Sequence, residues 1–366
     1  MTDFAPPMPG DPAPWFRQRS ESNPGFNFDT TAGRWIVLCF LGSAADAHAQ
    51  AALAAMRARP QVFDDSHACF FAVSNDPADE AQGRIAARYP GYRIFWDFDL
   101  RVTQLYGAAA GPTMITRRWV LLDPTLRVHA VIPFLPDQGD IAQFGALLDA
   151  LPPPDRFAGL PLQAPIIVLP QVFEPQLCDH LIALYEEEGG EVSGFMREVD
   201  GKTVPVHDPA HKRRRDAPIT DRALIGALQA RFVRRVVPEI AKVHQFHVTR
   251  MERYIVACYD AADGGHFRAH RDNTTKGTAH RRFAVSVNLN ADFDGGEVSF
   301  PEYGPRSFKA PPGGAVVFSC SLLHAVSPVT RGRRYAFLPF LYDDAAARLR
   351  EENKMYLDAT VGSATG

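Results

Sequence analysis

Apolar runs and amphipathic segments alternate along the first part of the chain. The segments 34–42 (RWIVLCFLG) and 68–74 (ACFFAVS) are nearly continuous apolar runs rich in β-forming residues, a pattern typical of strands buried on both faces. Between them, residues 44–59 consist mainly of Ala, Leu, Met and Arg, which favour a helix. The pattern therefore predicts a βαβ unit.

The same alternation continues to residue 151. It predicts a helix at 77–89, which the segment WDFDLRVTQLYG follows. Beyond that segment, strands are predicted at 119–123 and 128–133 and a helix at 140–151. Strands that alternate with helices and end in a hairpin and a helix indicate a small α/β sandwich.

Three consecutive prolines, Pro152 to Pro154, interrupt this pattern, because proline neither continues a helix nor donates to a β-ladder. We place a domain boundary there. The predicted organisation is a first domain at 1–151, a Pro-rich linker at 152–164, a second domain at 165–345 and a C-terminal tail at 346–366.

The second domain shows a different pattern. A strand is predicted at 166–169, a helix with an apolar stripe at 174–188, and a second helix at 221–237. Beyond Phe246, short β-type runs separated by Gly, Pro, Asn and Asp continue to Tyr342. Helices followed by many short strands predict an α+β domain in which supporting helices cover a jelly roll, also called a double-stranded β-helix.

Composition adds limits to this picture. The chain is 46% apolar and 22% charged with a net charge of −3, which describes a soluble globular protein and gives no electrostatic case for nucleic acid or a membrane surface. The first residues lack the features of a signal peptide, and no run approaches the roughly 20 apolar residues of a membrane span, so we expect a cytoplasmic protein. The five scattered cysteines indicate buried free thiols.

Candidate chemistry begins at His270-Arg271-Asp272. Positions i and i+2 of an extended segment project to the same face, so the imidazole of His270 and the carboxylate of Asp272 converge. His324 follows after several strand and turn signals, enough chain to return beside the first pair. Two histidines and one carboxylate form the facial triad of non-haem iron(II) oxygenases.

The motifs around this triplet occur in a recognisable order. Tyr259, Gly265, Phe267, His270 and Asp272 match a Y…G-x-F-x-x-H-x-D pattern, and DGGE, PGGAVVF and HAVSPVTRGRRY follow it. Over residues 165–344 the chain resembles the prolyl 4-hydroxylase branch of the 2-oxoglutarate oxygenases. The resemblance implies that the two histidines and the aspartate bind iron(II).

A 2-oxoglutarate cosubstrate needs a cation for its distal carboxylate, ideally a planar guanidinium. Arg334 lies where the family carries Arg or Lys, on the strand after the distal histidine. Arg331 and Arg333 are the competitors. Arg333 is expected on the opposite strand face and Arg331 in the preceding turn, where solvated charges are common.

Two further positions are candidate cosubstrate contacts. Tyr259 resembles a family tyrosine whose hydroxyl contacts 2-oxoglutarate, but an ordinary half-buried strand tyrosine is the alternative. Asn288 occupies the position of a second tyrosine found in oxygen-sensing members, so that contact is replaced or absent here.

The resemblance implies a dioxygenase that uses Fe(II), 2-oxoglutarate and O₂, with ascorbate as a candidate reductant, and releases succinate and CO₂. Asp272 disfavours halogenation, which needs a vacated coordination position. The implied substrate is a prolyl residue in a peptide or protein, or a free amino acid, and a homodimer is compatible with the resemblance. The alternative is a binding or scaffold protein with an idle oxygenase domain.

Other charged residues have simpler interpretations. The run Lys212-Arg213-Arg214-Arg215 lies in a predicted loop and is interpreted as a solvated face; the functional alternative is a lid that selects an acidic substrate. His266 and His280 lack a partner two residues away and are interpreted as loop histidines.

The first domain carries its own resemblance. The opening PGDPAP, the strand WIVLCFLG, the segment WDFDLRVTQLYG and Arg117-Arg118 are similar to a peroxiredoxin of the thioredoxin fold. A peroxidase needs a thiolate at the start of the helix after the first strand, where the helix N-terminus lowers its pKa. The chain has GSAADAHA there, so we predict an interaction module without peroxidase chemistry; a redox role for Cys39 is the rival.

Overall fold

The computed structural model describes residues 6–109 and 114–357. These residues form two compact units, each with its own hydrophobic core. The first unit contains the described residues up to Gln163 together with Pro301–Gly304. The second contains Ala164–Phe300 and the described residues from Pro305 onward.

The first unit is built on a mixed sheet in the strand order β5-β4-β3-β6-β7. The strands are β1 (Arg17–Gln18), β2 (Phe26–Asn27), β3 (Trp35–Gly42), β4 (Ala68–Ser74), β5 (Tyr92–Trp96), β6 (Arg118–Leu122) and β7 (Val128–Pro133). The helices are α1 (Ala47–Arg57), α2 (Pro77–Ala81), α3 (Arg101–Leu105) and α4 (Gly139–Asp149), with 3-10 turns at Phe28–Thr31 and Pro154–Arg156.

The central strands β3 and β4 are parallel and almost wholly buried, as their continuous apolar runs predicted. The helix predicted at 77–89 is wrong in its length, because α2 ends at Ala81. Gly83 adopts φ +60° just beyond it, a conformation that stops a helix. The rest of that segment is irregular up to the short β5.

The start of α1 carries a carboxylate where a peroxidase needs a thiolate. Asp46 caps the helix by accepting a hydrogen bond from Ala49 N at 3.0 Å, and Arg117 pairs with it. All five cysteines are buried, as predicted. Burial raises the pKa of Cys39 well above its ordinary value and that of Cys69 to about 12, which opposes thiolate chemistry at either strand position.

The second unit contains the remaining elements. Its strands are β8 (Ile167–Leu169), β9 (Glu191–Val192), β10 (Phe195–Val199), β11 (Lys202–Val206), β12 (Lys212–Arg213), β13 (Arg215–Pro218), β14 (Arg250–Glu252), β15 (Ile255–Asp260), β16 (His266–His270), β17 (Phe283–Asn288), β18 (Phe293–Gly295), β19 (Val298–Ser299), β20 (Ser307–Phe308), β21 (Ala315–Ser319), β22 (His324–Val326), β23 (Val329–Phe337) and β24 (Phe340–Tyr342). Its helices are α5 (Pro175–Glu188), α6 (Arg222–Arg235), α7 (Val237–His244) and α8 (Asp344–Glu352), with 3-10 turns at Ala261–Asp263, Lys276–Thr278 and Asn353–Tyr356; the 3-10 turn Pro301–Tyr303 groups with the first unit.

Two antiparallel sheets organise these strands. The larger runs β14-β24-β17-β23-β15-β13-β9, with β21 and β8 added through β17, and the smaller runs β12-β16-β22-β19-β20. The helices α5, α6 and α7 place apolar stripes, including Leu181, Leu228 and Ile240, in one core with Val256 and Phe337 of the larger sheet. The predicted fold class, an α/β thioredoxin-like domain followed by an α+β jelly roll with supporting helices, is confirmed.

Three local features differ from the sequence pattern or extend it. The helix predicted at 221–237 divides into α6 and α7, with Pro238 in the first turn of α7. Helix α8 lies at the junction of the predicted second domain and tail, and residues 358–366 of that tail lie outside the described residues. Within the described ranges, none of the helices has the length and apolar character needed to cross a membrane.

The turn before β21 requires glycine at position 313. Gly313 has φ +74°, its carbonyl accepts hydrogen bonds from Val172 N and Phe173 N, and an added Cβ would lie 2.3 Å from Phe173 O. We expect Gly313→Ala to lower the free energy of unfolding by about 2 kcal/mol or more, because overpacking adds to backbone strain.

Urea unfolding measures this loss, and Gly201→Ala is the matched control. Gly201 also has φ +74°, but a Cβ added there would have no atom within 4 Å, so only the backbone penalty of about 1 kcal/mol applies. Equal losses in the two variants contradict the packing argument.

Candidate functional site

The three predicted metal ligands come from the smaller sheet. Strands β16 and β22 pair antiparallel with His270 directly opposite His324, and the ring centroids lie 4.2 Å apart. Asp272 follows the end of β16, where its backbone N–H donates to Cys320 O at 2.9 Å. The register of one strand pair and one backbone hydrogen bond thus bring the three side chains together.

The ligand atoms of this triad converge on one point. The Nε2 atoms of His270 and His324 lie 3.5 Å and 3.4 Å from the carboxylate oxygens of Asp272, and one ligand atom from each residue lies within 4.8 Å of the others. Each histidine donates Nδ1–H to a backbone carbonyl, Arg268 O for His270 and Leu322 O for His324. Because a carbonyl only accepts, each Nε2 presents its lone pair to the shared point.

The electrostatics of the triad favour the metal-binding protonation states. Burial, together with the neighbouring His324, lowers the pKa of His270 to about 4. Burial alone raises the pKa of Asp272, but His324, His270 and Arg281 outweigh it and lower that pKa below its ordinary value. At neutral pH the triad therefore offers a neutral imidazole at His270 and an ionised carboxylate at Asp272.

The triad opens into a small cavity of about 60 Å³ between the two sheets. The smaller sheet contributes the triad, Val298 and Val326 to its lining, and the larger sheet contributes Ser286 and Arg334. The cavity therefore combines a metal-ligand set, an apolar wall and a buried cation.

Arg334 is the buried cation, with 1% of its surface exposed. Its Nε donates to Asn288 Oδ1 at 3.0 Å and its Nη2 donates to Ser286 Oγ at 2.7 Å. Its Nη1 is buried and has no hydrogen-bond partner within residues 6–109 and 114–357. Since an unsatisfied buried donor is costly, Nη1 marks the place of an absent acceptor. Asn288 therefore supports Arg334. Both of its side-chain polar atoms are engaged, because Oδ1 accepts from Arg334 and Nδ2 donates to Ala310 O at 2.7 Å.

The competing arginines lie outside the cavity. Arg333 is on the opposite face of β23, where its Nε donates to Asp260 at 2.8 Å. Arg331 is exposed and pairs with Asp294 at 2.6 Å. The expected position of Arg333 is confirmed, whereas the expectation that Arg331 lies in the preceding turn is wrong, because β23 already begins at Val329.

Tyr259 lines the cavity beside Arg334. Arg334 lies over its ring at 5.3 Å, and its hydroxyl oxygen accepts a hydrogen bond from Arg214 Nη1 at 3.3 Å. Because the arginine can only donate, the hydroxyl hydrogen of Tyr259 remains free to donate to a ligand in the cavity.

The interpretation of Lys212 to Arg215 as a solvated loop is wrong. Lys212 and Arg214 are each only 6% exposed, while Arg213 and Arg215 point to solvent. Arg214 forms a two-point ion pair with Asp216 at 2.6 and 2.7 Å. The missed signal was the strand alternation that puts positions 212, 214 and 216 on one face.

The two flanking histidines differ. His280 lies in a turn, as interpreted, but it is buried there and contacts the carboxylate of Glu252 at 3.0 Å. The acidic partner lies far away in the sequence, which is why spacing did not reveal it. His266 is the first residue of strand β16, so its interpretation as a loop histidine is wrong. Its Nδ1 donates to Gly264 O at 2.8 Å.

Comparison with known families agrees with this geometry. Residues 254–342 match the model of the 2OG-Fe(II) oxygenase superfamily, and residues 9–131 match that of the AhpC/TSA family. The chain thus contains one segment similar to the AhpC/TSA family and one similar to the 2OG-Fe(II) oxygenase superfamily, which confirms both resemblances noted in the sequence.

Similar proteins include two hydroxylases and one solved structure. A PKHD-type hydroxylase of Synechococcus sp. (strain JA-2-3B'a(2-13)) is 28% identical over 149 residues, 33% of this chain and 66% of the relative. PKHD-type hydroxylase PiuC of Pseudomonas aeruginosa is 38% identical over 88 residues, 22% of this chain and 38% of the relative. The chain therefore spans less than two thirds of the length of each of these two hydroxylases. A prolyl hydroxylase from Trichoplax adhaerens, solved with a hypoxia inducible factor peptide fragment, superposes with a TM-score of 0.39 at 16% identity, covering 51% of this chain and 87% of that one.

The buried ion pair beside the cavity yields a stability prediction. Asp216→Asn removes the carboxylate that neutralises Arg214, and we expect a loss of about 3 kcal/mol in the free energy of unfolding because a buried charge is left unpaired. Burial alone raises the pKa of Asp216. The positive charges of Arg214, Arg253 and Lys212 outweigh burial and lower this pKa below its ordinary value of 3.8. The ion pair of Asp216 therefore contributes to the free energy of unfolding above about pH 4, and this contribution is lost as the pH falls.

Urea unfolding at pH 7 tests this, with Asp294→Asn as the control. Asp294 pairs with Arg331, but both side chains are more than half exposed, so little change is expected. A comparable loss in both variants contradicts the prediction.

Proposed function

We propose that this chain is a 2-oxoglutarate- and Fe(II)-dependent dioxygenase that hydroxylates an unactivated C–H bond. One observation supports this most strongly. The triad His270, Asp272 and His324 shares a cavity with Arg334, whose Nη1 is buried and meets no acceptor in the part of the chain that the structure describes. This pairing of a metal-ligand set with a guanidinium suits a cosubstrate that chelates a metal at one end and carries a carboxylate at the other.

The triad residues fit iron(II). Two imidazole nitrogens and one carboxylate are the ligand types of the facial triad, and both histidines present the required Nε2 lone pair. The backbone carbonyls that accept from the two Nδ1 atoms hold the rings in orientation. When bound, iron with 2-oxoglutarate and O₂ supplies the oxidising chemistry, and 2-oxoglutarate is converted to succinate and CO₂.

The polar side chains of the cavity suit the two ends of 2-oxoglutarate. Arg334 Nη1 is placed to donate to its distal carboxylate, and the free hydroxyl hydrogen of Tyr259 is a second donor beside it. Asn288 and Ser286 act indirectly, because they fix the guanidinium plane. The apolar side chains Val298 and Phe318 exclude water from the same cavity.

For the substrate, we propose a prolyl residue in a peptide or a free amino acid. The names of the similar hydroxylases support hydroxylation in general. The choice of a prolyl or amino-acid substrate rests on the resemblance of residues 165–344 to prolyl 4-hydroxylases. The AhpC/TSA-type segment is proposed as an interaction module. All five cysteines are buried, which favours this role over peroxidase chemistry.

Removal of a triad ligand tests the metal site. We expect His270→Ala and Asp272→Ala to weaken Mn(II) or Fe(II) binding by more than the roughly 10–100-fold that loss of an outer-sphere partner costs. Succinate formation from 2-oxoglutarate with Fe(II), O₂ and ascorbate should fall to background in both variants. Calorimetric metal titration and succinate assays over a panel of prolyl peptides and amino acids provide the two readouts.

His266→Gln is the control, since His266 lies on the same strand outside the cavity lining. It should retain metal affinity and turnover. Unchanged metal binding in Asp272→Ala, or no succinate from the wild-type protein with any substrate, refutes the proposed function.

Replacement of Arg334 tests the cosubstrate site. Arg334→Met should raise the dissociation constant of 2-oxoglutarate from the Mn(II)-loaded protein at least about tenfold, because a charge-assisted hydrogen bond is lost. Arg331→Met removes the same charge from an exposed pair on the same strand and should leave that constant unchanged. Equal 2-oxoglutarate affinity in wild type and Arg334→Met argues against this assignment.

A further inference from the structure

The charges around the cavity do not cancel once metal and cosubstrate are counted. Fe(II) and Arg334 together would carry three positive charges, and Asp272 and the two carboxylates of 2-oxoglutarate would carry three negative charges. Two more guanidiniums, those of Arg214 and Arg253, also line the cavity. Both contact the same carboxylate, that of Asp216.

Asp216 pairs mainly with Arg214. Its two oxygens accept from Arg214 Nε and Nη2, whereas Arg253 reaches one of them through a single contact from Nη2 at 3.0 Å. Arg214 is 3% exposed at the side chain and Arg253 is 26% exposed. Asp216 cannot neutralise both guanidiniums, so one positive charge of this pair is left over, and Arg253 is the more accessible of its two carriers.

The backbone at Arg253 supports a functional role. Arg253 lies between β14 and β15 with φ +70°, a left-handed conformation that is unfavourable for an arginine. Strain of this kind persists where the surroundings fix it, and it concentrates at binding and active sites. Here it accompanies a guanidinium placed over the ring of Phe340, which also lines the cavity.

We propose that Arg253 recognises a carboxylate of the substrate, so that this enzyme acts on an acid and discriminates against the corresponding neutral amide. The proposal rests on the oxygenase function proposed above. Asp216, which is itself held by Arg214, acts as the positioning residue that holds the Arg253 guanidinium at the cavity. Burial and the nearby Arg214 lower the pKa of Arg253 to about 10, so it remains protonated at neutral pH. A free amino acid or a peptide C-terminus carries the required group, as does an acidic side chain within a peptide.

The test compares acids with their amides on protein loaded with Mn(II) and 2-oxoglutarate. The twenty L-amino acids and their amides form one arm, prolyl peptides with free or amidated C-termini a second, and prolyl peptides with an interior Asp or Asn a third. Thermal shift identifies the probes that bind, and calorimetry gives their dissociation constants. At least one acid should bind about tenfold more tightly than its amide, and the arm in which it occurs identifies the source of the carboxylate.

Two variants assign the preference to Arg253. Arg253→Asn removes the charge with a residue that tolerates a left-handed backbone, and it should bring the acid and its amide to similar affinity. Arg250→Asn removes an exposed arginine that pairs with Asp344 outside the cavity, and it should keep the preference.

The binding of 2-oxoglutarate to the metal-loaded protein separates the two proposals. Its failure in the wild type counts against the oxygenase function itself. When 2-oxoglutarate binds normally, any of three results overturns the carboxylate proposal alone: acids and amides bind equally, no acid binds, or the preference survives in Arg253→Asn.

Discussion

The antiparallel pairing of β16 with β22 is the constraint on which the site depends. It sets His270 opposite His324, and side chains directly opposite in such a pair are close neighbours. A slip of one residue would turn one imidazole to the other face of the sheet and dismantle the triad. Asp272 then needs only to be held near the end of β16, which its backbone hydrogen bond to Cys320 accomplishes.

The larger sheet contributes charge, while the smaller one contributes ligands. Arg334 extends from β23 into the cavity, where Asn288 and Ser286 of β17 hold two sides of its guanidinium. Burying a cation is unfavourable unless acceptors meet it, and the third side of this guanidinium has none among the described residues. The structure thus keeps an unsatisfied donor facing the triad, which a carboxylate ligand would satisfy on binding.

Much of this arrangement could be predicted from the sequence, because the triad and Arg334 lie in motifs whose order and spacing are themselves informative. The fold class was predictable for the same reason, together with the contrast between buried parallel strands and short antiparallel ones. The basic run was misinterpreted because four consecutive cations resemble a solvated surface. Burial of Lys212 and Arg214 depends on Ser193 and Asp216, which only the folded sheet brings alongside. The pairing of His280 with Glu252 is likewise a tertiary contact without a local signal.

Anomalous diffraction from crystals prepared anaerobically with Fe(II) and 2-oxoglutarate would locate the metal and the cosubstrate together. We expect one strong iron peak within bonding distance of His270 Nε2, His324 Nε2 and an oxygen of Asp272. We also expect 2-oxoglutarate density that joins this peak to Arg334 Nη1. An iron peak elsewhere, or 2-oxoglutarate whose distal carboxylate contacts another cation, would contradict the proposed site.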